Sequence, residues 1–105
     1  MITPGRLAKR FGLSRSALLY YDRIGLLRPS GRTFSRYRQY SEQDVHRLEQ
    51  ICTLRRAGLR LKDIGQALHA PGNLLTRALE GRLEDLNDEI ERLRDQQRFI
   101  LGLLE

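Results

Sequence analysis

At 105 residues the chain has room for one small domain and an appendage, and its net charge of +6 with pI ≈ 10.2 points to an acidic partner. The single cysteine, Cys52, excludes an internal disulfide and favours a reducing compartment. No apolar run approaches the ~20 residues of a membrane span, and no secretory signal opens the chain, so a cytoplasmic protein without membrane contact is expected.

The first predicted element is a short helix in MITPGRLAKRFG. Thr3 suits its N-cap, and Pro4 at the first helical position gives up only an amide that would be unpaired anyway. Leu7, Ala8 and Phe11 fall at helical spacing, and Gly12 fits the left-handed residue that closes a helix. Ser14 caps a second helix that runs to Gly25, with Pro29 beyond it. Two short helices about a glycine turn outline a helix-turn-helix, a weak signal by itself.

Pro29, Ser30 and Gly31 then interrupt helix, and the basic stretch around Tyr37 and Tyr40 reads as a small two-stranded wing. From Glu42 to Ala57 the pattern is helical again, with Ser41 as cap and an apolar stripe of Val45, Leu48, Ile51, Cys52 and Leu54 that Gly58 ends. Leu61 to Leu68 forms a fourth helix, closed by HAPGN, whose Pro71 marks the one linker-like hinge.

The tail differs. Leu79, Leu83, Leu86, Ile90, Leu93, Gln97, Ile100 and Leu104 alternate spacings of four and three, a heptad seam that is apolar except at Gln97. Fully helical, residues 74–105 extend ~48 Å at ~1.5 Å per residue. Such a helix overhangs a domain of this size and needs another helix to cover its stripe. The nearest candidate is a second copy, in either direction. The expected organisation is mainly α, with a winged helix-turn-helix over 1–70 and a dimerisation helix over 74–105.

Charge is divided along the chain. Fourteen basic residues stand against four acidic ones through Lys62, and five against nine beyond it. A cationic front and a mildly anionic tail favour a polyanion docked on the front. On the second helix, ~100° per residue gathers Ala17, Tyr21 and Ile24 inward with Leu18 at the edge. Arg15, Ser16, Leu19, Tyr20 and Arg23 spread over the outer face. Guanidinium forks bridge guanine acceptors or clamp phosphates, and an aliphatic side chain meets a thymine methyl, so this face suits the major groove of double-stranded DNA. Bases are read from the N-terminal end of such helices, where Arg15 and Ser16 stand.

The order of SRSALLYYDRIGLLRP, YRQYSEQDV, LRRAGLRLKDIGQAL and a terminal heptad helix resembles the mercury-resistance-regulator (MerR) family of bacterial transcription factors. The marks are Tyr20-Tyr21-Asp22 followed by Gly25-Leu26-Leu27-Arg28-Pro29, and in the wing Tyr37-Arg38-Gln39-Tyr40-Ser41-Glu42. The resemblance implies a homodimer joined by an antiparallel coiled coil on a pseudo-palindromic promoter operator. It implies that the dimer bends and untwists the DNA to realign promoter elements for RNA polymerase, its indirect partner. By the same resemblance Arg15 and Ser16 approach bases, while Tyr20, Tyr37, Arg38, Tyr40, Arg56, Arg60 and Lys62 hold the backbone. The dimer seam is Leu79, Leu83, Leu86, Ile90, Leu93, Ile100 and Leu104.

Some positions depart from the family pattern. Ala17 and Leu19 stand where Thr and Arg are usual, which removes a phosphate clamp; either Leu19 meets a methyl instead or that contact is lost. Arg36 replaces a glycine or asparagine, requiring a more conventional backbone while adding charge at the groove. Arg60 replaces a small cap. Most relatives carry an effector-sensing region after the coiled coil. This chain stops at ILGLLE without a helix-stop signal, which favours a piece of a longer regulator over a naturally minimal one and leaves any small-molecule effector unidentified.

Other chemistry finds little support. Cys52 lies on an apolar stripe and reads as a small buried hydrophobe, His46 as a surface residue and His69 as a helix-end partner. Asp85, Asp88, Glu89 and Glu91 form a solvated face. No metal site, cofactor site or nucleophile–base pair is evident, so an enzyme is not expected. Two alternatives to a sequence-reading regulator are a coiled-coil module docking an acidic protein and an architectural DNA-binding protein without sequence choice.

Overall fold

The computed structural model describes residues 1–70 and 72–105; the hinge expected at Pro71 lies outside the described residues. Helix α1, Pro4–Phe11, begins where Thr3 Oγ1 accepts the Arg6 amide at 3.4 Å, and ends at Gly12 with φ 67°. The chain then reverses, and Ser14 Oγ accepts the Ala17 amide at 3.0 Å to open α2, Arg15–Arg23. The α2 helix stops two residues short of Gly25, whose φ of 74° turns the chain away. That early stop corrects the inward placement of Ile24, which is 44 % exposed, because a helical rotation does not carry past the helix end. Leu18, expected at the edge, is instead buried together with Tyr21.

The wing pairs β1, Gly31–Arg32, with β2, Arg38–Gln39, in antiparallel register Gly31 to Gln39 and Arg32 to Arg38. A third segment joins it: Ile2 and Tyr40 exchange both backbone hydrogen bonds at 2.8 Å, so the N-terminus rides on the wing. Helix α3, Glu42–Arg56, starts with a reciprocal cap in which Ser41 Oγ accepts the Asp44 amide and Asp44 Oδ2 accepts the Ser41 amide. The same carboxylate oxygen accepts the Ser30 amide at 3.1 Å, fastening the wing's entry to the helix start. Helix α4, Leu61–His69, follows the turn at Gly58 (φ 89°) and runs one residue beyond its expected end. Its N-cap, Arg60, makes no side-chain capping bond.

Four helices and the wing share one core, with Leu7, Leu18, Leu27, Tyr40, Leu48, Ile51 and Ile64 almost fully enclosed. Cys52 is only half-buried against it, and that burial pushes its thiol pKa up. Helix α5, Leu74–Leu104, leaves this head as a rod of 31 residues with none buried. Leu75 and Ala78 pack against the core, and Arg82 Nε donates to the Ala57 carbonyl at 3.3 Å. From residue 87 onward every side chain is exposed. The radius of gyration, 19.2 Å, exceeds the ~13 Å of a compact chain of this length for that reason.

Ile51 sits at the centre of the head, 0 % exposed. Ile51→Ala removes buried atoms and leaves a cavity, so a loss of about 2–5 kcal/mol in unfolding free energy is expected, measured by urea denaturation followed by circular dichroism.

Candidate nucleic-acid interface

The outer face of α2 is set by what its inner face must do. Leu18 and Tyr21 are drawn into the core, and the Tyr21 carbonyl accepts the amides of both Leu26 and Leu27, folding the chain after α2 back under it. Burial of Tyr21 pushes its phenol pKa up. Arg15, Ser16, Leu19, Tyr20 and Arg23 are left exposed on the opposite side. The Arg23 guanidinium lies 5.7 Å from the Tyr20 ring centroid, a cation–π pair that fixes both side chains on the surface.

Arg15 does not stand alone. It lines a cleft of about 460 Å³ together with Thr3 and Gly5 of the first helical turn and Arg32, Thr33, Arg36, Tyr37 and Arg38 of the wing. Gly5 makes room for it: a Cβ there would stand 2.5 Å from Arg15 Nη2. Four guanidinium groups around one opening form a strong anion seat, most useful to a phosphate backbone beside a helix that enters a groove. Arg38 is also held from behind. Its Nε lies 3.3 Å from Asp22 Oδ2, an ion pair whose angle falls short of a hydrogen bond, so the wing is tied to α2.

The remaining expected contacts fall into separate places. Tyr20 and Lys62 line a groove between the end of α2 and α4. Arg60 lies on the other side of α4, in a groove shared with Arg77 and Arg82 of α5, and pairs with Asp63 at 3.7 Å. Arg56 is exposed near the end of α3.

Two expectations need correction. Tyr40 was expected to hold the DNA backbone, but its ring is 1 % exposed, because pairing with Ile2 turns it into the core. Burial, with the nearby Asp22 carboxylate, pushes its phenol pKa up. Arg36 was expected to need a conventional backbone, yet it keeps φ at 65°, the left-handed conformation otherwise found here only at glycines among the described residues. The turn is closed around it by the Arg36 amide to the Thr33 carbonyl at 2.9 Å and by the Tyr37 amide to Thr33 Oγ1 at 3.1 Å, which overrides the side chain's preference. Sequence reasoning passed over Gly5, Arg32 and Thr33 in the cleft; Arg32 carried the same signal of basic charge in the wing as Arg36 and Arg38.

The family model described as MerR HTH family regulatory protein matches residues 2–70, and the one described as MerR, DNA binding matches residues 45–103. The chain belongs to the MerR family. It is 42 % identical over 90 residues to the HTH-type transcriptional regulator SkgA of Caulobacter vibrioides, covering 86 % of this chain. The match spans only 35 % of SkgA, about a third of that protein's length. The N-terminal part of the Bacillus subtilis multidrug transporter activator, MtaN, superposes with a TM-score of 0.88 at 33 % identity, covering 99 % of this chain and 98 % of that one. HiNmlR, a MerR family regulator lacking the sensor domain and solved bound to promoter DNA, shares the fold with a TM-score of 0.66 at 24 % identity, over 96 % of this chain and 87 % of that one.

MerR proteins are transcriptional regulators and not enzymes. The cleft between α3 and the start of α5 contains one histidine–carboxylate pair, His46 with Glu49 at 3.5 Å, both solvent-exposed and on one helix face.

The left-handed Arg36 carries a testable cost. Arg36→Gly removes the Cβ clash of that conformation, offset in part by the added freedom of glycine in the unfolded chain, for a net gain of about 0.5–1 kcal/mol. A shift of the urea midpoint to higher concentration at unchanged slope is the expected readout.

Proposed function

We propose that this chain is the DNA-reading and dimer-forming part of a MerR-type transcriptional regulator. Two copies bind a pseudo-palindromic operator within a promoter and distort it, acting on RNA polymerase through the DNA. The observation that carries this reading is the cleft in which Arg15, at the start of α2, meets Arg32, Arg36 and Arg38 of the wing. A base-reading helix end and a phosphate seat lie side by side there, the pairing that sequence-selective DNA binding needs. The promoter DNA bound to HiNmlR supports the same reading. Arg15 and Ser16 read bases, Leu19 offers an apolar contact, and Tyr20, Arg23, Arg36, Tyr37, Arg38, Arg56, Arg60 and Lys62 hold the backbone.

The dimer rests on α5. Leu83, Ile90, Leu93, Ile100 and Leu104 are 45–77 % exposed on a rod whose outer part touches nothing of its own chain. A seam of that length is covered by a second copy of the same rod running antiparallel, which sets two heads at a fixed separation and matches a two-fold operator.

Two measurements test the proposal. Against duplexes selected from a random pool by the wild-type chain, Arg15→Ala is expected to lose about 1–3 kcal/mol of discrimination at one base position. Lys62→Ala weakens all sequences alike and lowers the slope of log K against log salt by about 1. Equal losses on every sequence for both variants would contradict the assigned roles. Ile90→Asp places a charge in the seam, and sedimentation at micromolar concentration is expected to show a monomer where the wild type is a dimer; a monomeric wild type would sink the dimer.

A further inference from the structure

The tip of the wing carries a side chain to which neither the core nor the cleft gives a role. Phe34 is 109 % exposed, more open than a residue in an extended reference chain, and is the most exposed large apolar side chain among the described residues. A lone exposed hydrophobe on a mobile loop would call for no explanation. This one sits on a fixed tip. The Thr33 amide donates to the Tyr37 carbonyl and the Arg36 amide to the Thr33 carbonyl, both at 2.9 Å. The Tyr37 amide donates to Thr33 Oγ1 at 3.1 Å and Arg32 Nη1 to the Arg36 carbonyl at 3.4 Å. Phe34 lies inside that ring of bonds, and the ring is closed at the expense of a left-handed arginine. A strained, internally braced turn that holds an apolar ring out in water is arranged for something outside the chain.

What it meets is narrowed by its surroundings. Arg32 and Arg36 flank the ring and are exposed, so a purely apolar protein pocket would have to desolvate both guanidinium groups. The same arginines line the cleft that holds Arg15, and Arg38 ties the wing to α2, so the tip keeps a set place beside the reading helix. With α2 in a major groove, as the reading above has it, a wing fixed alongside it faces the adjoining backbone, and the groove beyond that backbone is the minor one. There the walls are deoxyribose faces, apolar surfaces bordered by phosphates, and aromatic or aliphatic side chains pressed into that groove help to bend the duplex.

We propose that Phe34 is a minor-groove contact: its ring packs against deoxyribose and base edges while Arg32 and Arg36 hold the flanking phosphates. The inference rests on the DNA-binding reading above. It adds an apolar, salt-insensitive element to an interface otherwise built from charge, and it gives the wing a part in distorting the operator.

The test is Phe34→Ala in the full chain, titrated over a range of salt against a duplex that the wild type has selected from a random pool. Since the side chain touches nothing within the protein, thermal melting should be unchanged. Affinity should fall on the order of tenfold with the slope of log K against log salt unaltered, because no phosphate contact is lost. Hydroxyl radicals cut deoxyribose through the minor groove, so the variant should also lose footprint protection at the sugars beside each half-site. Unchanged affinity with an unchanged footprint would overturn the inference and leave the DNA reading standing. A loss accompanied by a flatter salt slope would assign the effect to displaced arginines and would overturn it too. If the wild type itself selects no duplex, the DNA reading falls and this inference falls with it.

Discussion

The head of this protein depends on a knot of backbone hydrogen bonds just after α2. The Tyr21 carbonyl holds the amides of Leu26 and Leu27, and the Leu26 carbonyl in turn accepts Arg47 Nε at 2.8 Å from α3. Leu26 and Leu27 are thereby pressed into the core, each at most 2 % exposed. Because α2 has only nine residues, it could not hold its orientation alone. The knot anchors its far end to the second helix pair, while Asp22 links it to the wing through Arg38. Every side chain on the outer face inherits its direction from those ties.

How much of this was legible beforehand differs from residue to residue, and for physical reasons. Thr3, Ser14 and Ser41 were readable as caps, and Gly12 and Gly58 as stops, since capping is decided within four residues along the chain. The long helix α5 was readable because a heptad repeats its own evidence. The pairing of Ile2 with Tyr40 was not, since two residues 38 positions apart leave no local mark of a single bridge. Tyr40 was misplaced as a consequence: a tyrosine beside arginines reads as a surface contact until its strand partner is known. Ile24 was misplaced because a periodicity was carried one residue past the helix it described. Arg36 shows the reverse case, in which hydrogen bonds closing a turn outweigh the preference of the residue inside it. Most backbone-contact assignments came from family resemblance; only the face of α2 followed from spacing and chemistry.

The site also shows why its charge is concentrated. A guanidinium beside three others is costly in isolation, and here Arg15, Arg32, Arg36 and Arg38 share one opening with a single carboxylate, Asp22, behind them. That excess favours an anion from outside over internal neutralisation. Most of the acidic residues are instead placed on the rod, where Glu89 pairs with Arg92 and Asp95 with Arg98 along the helix and the field is nearly balanced. Head and rod are thus electrostatically distinct: the head holds the excess of positive charge, and the rod is near balance.

The contact between Arg82 and the Ala57 carbonyl has a mechanical side. Gly58, directly after it, admits the guanidinium so closely that a Cβ would come within 2.6 Å of Nε. With Leu75 and Ala78, this places the rod's attachment to the head in its first few turns. The free length beyond is therefore a lever arm, and the turn between α3 and α4 is where its torque arrives. A sideways load on the distant tip would therefore reach the head through Leu75, Ala78 and Arg82, beside the turn that leads into Arg60 and Lys62.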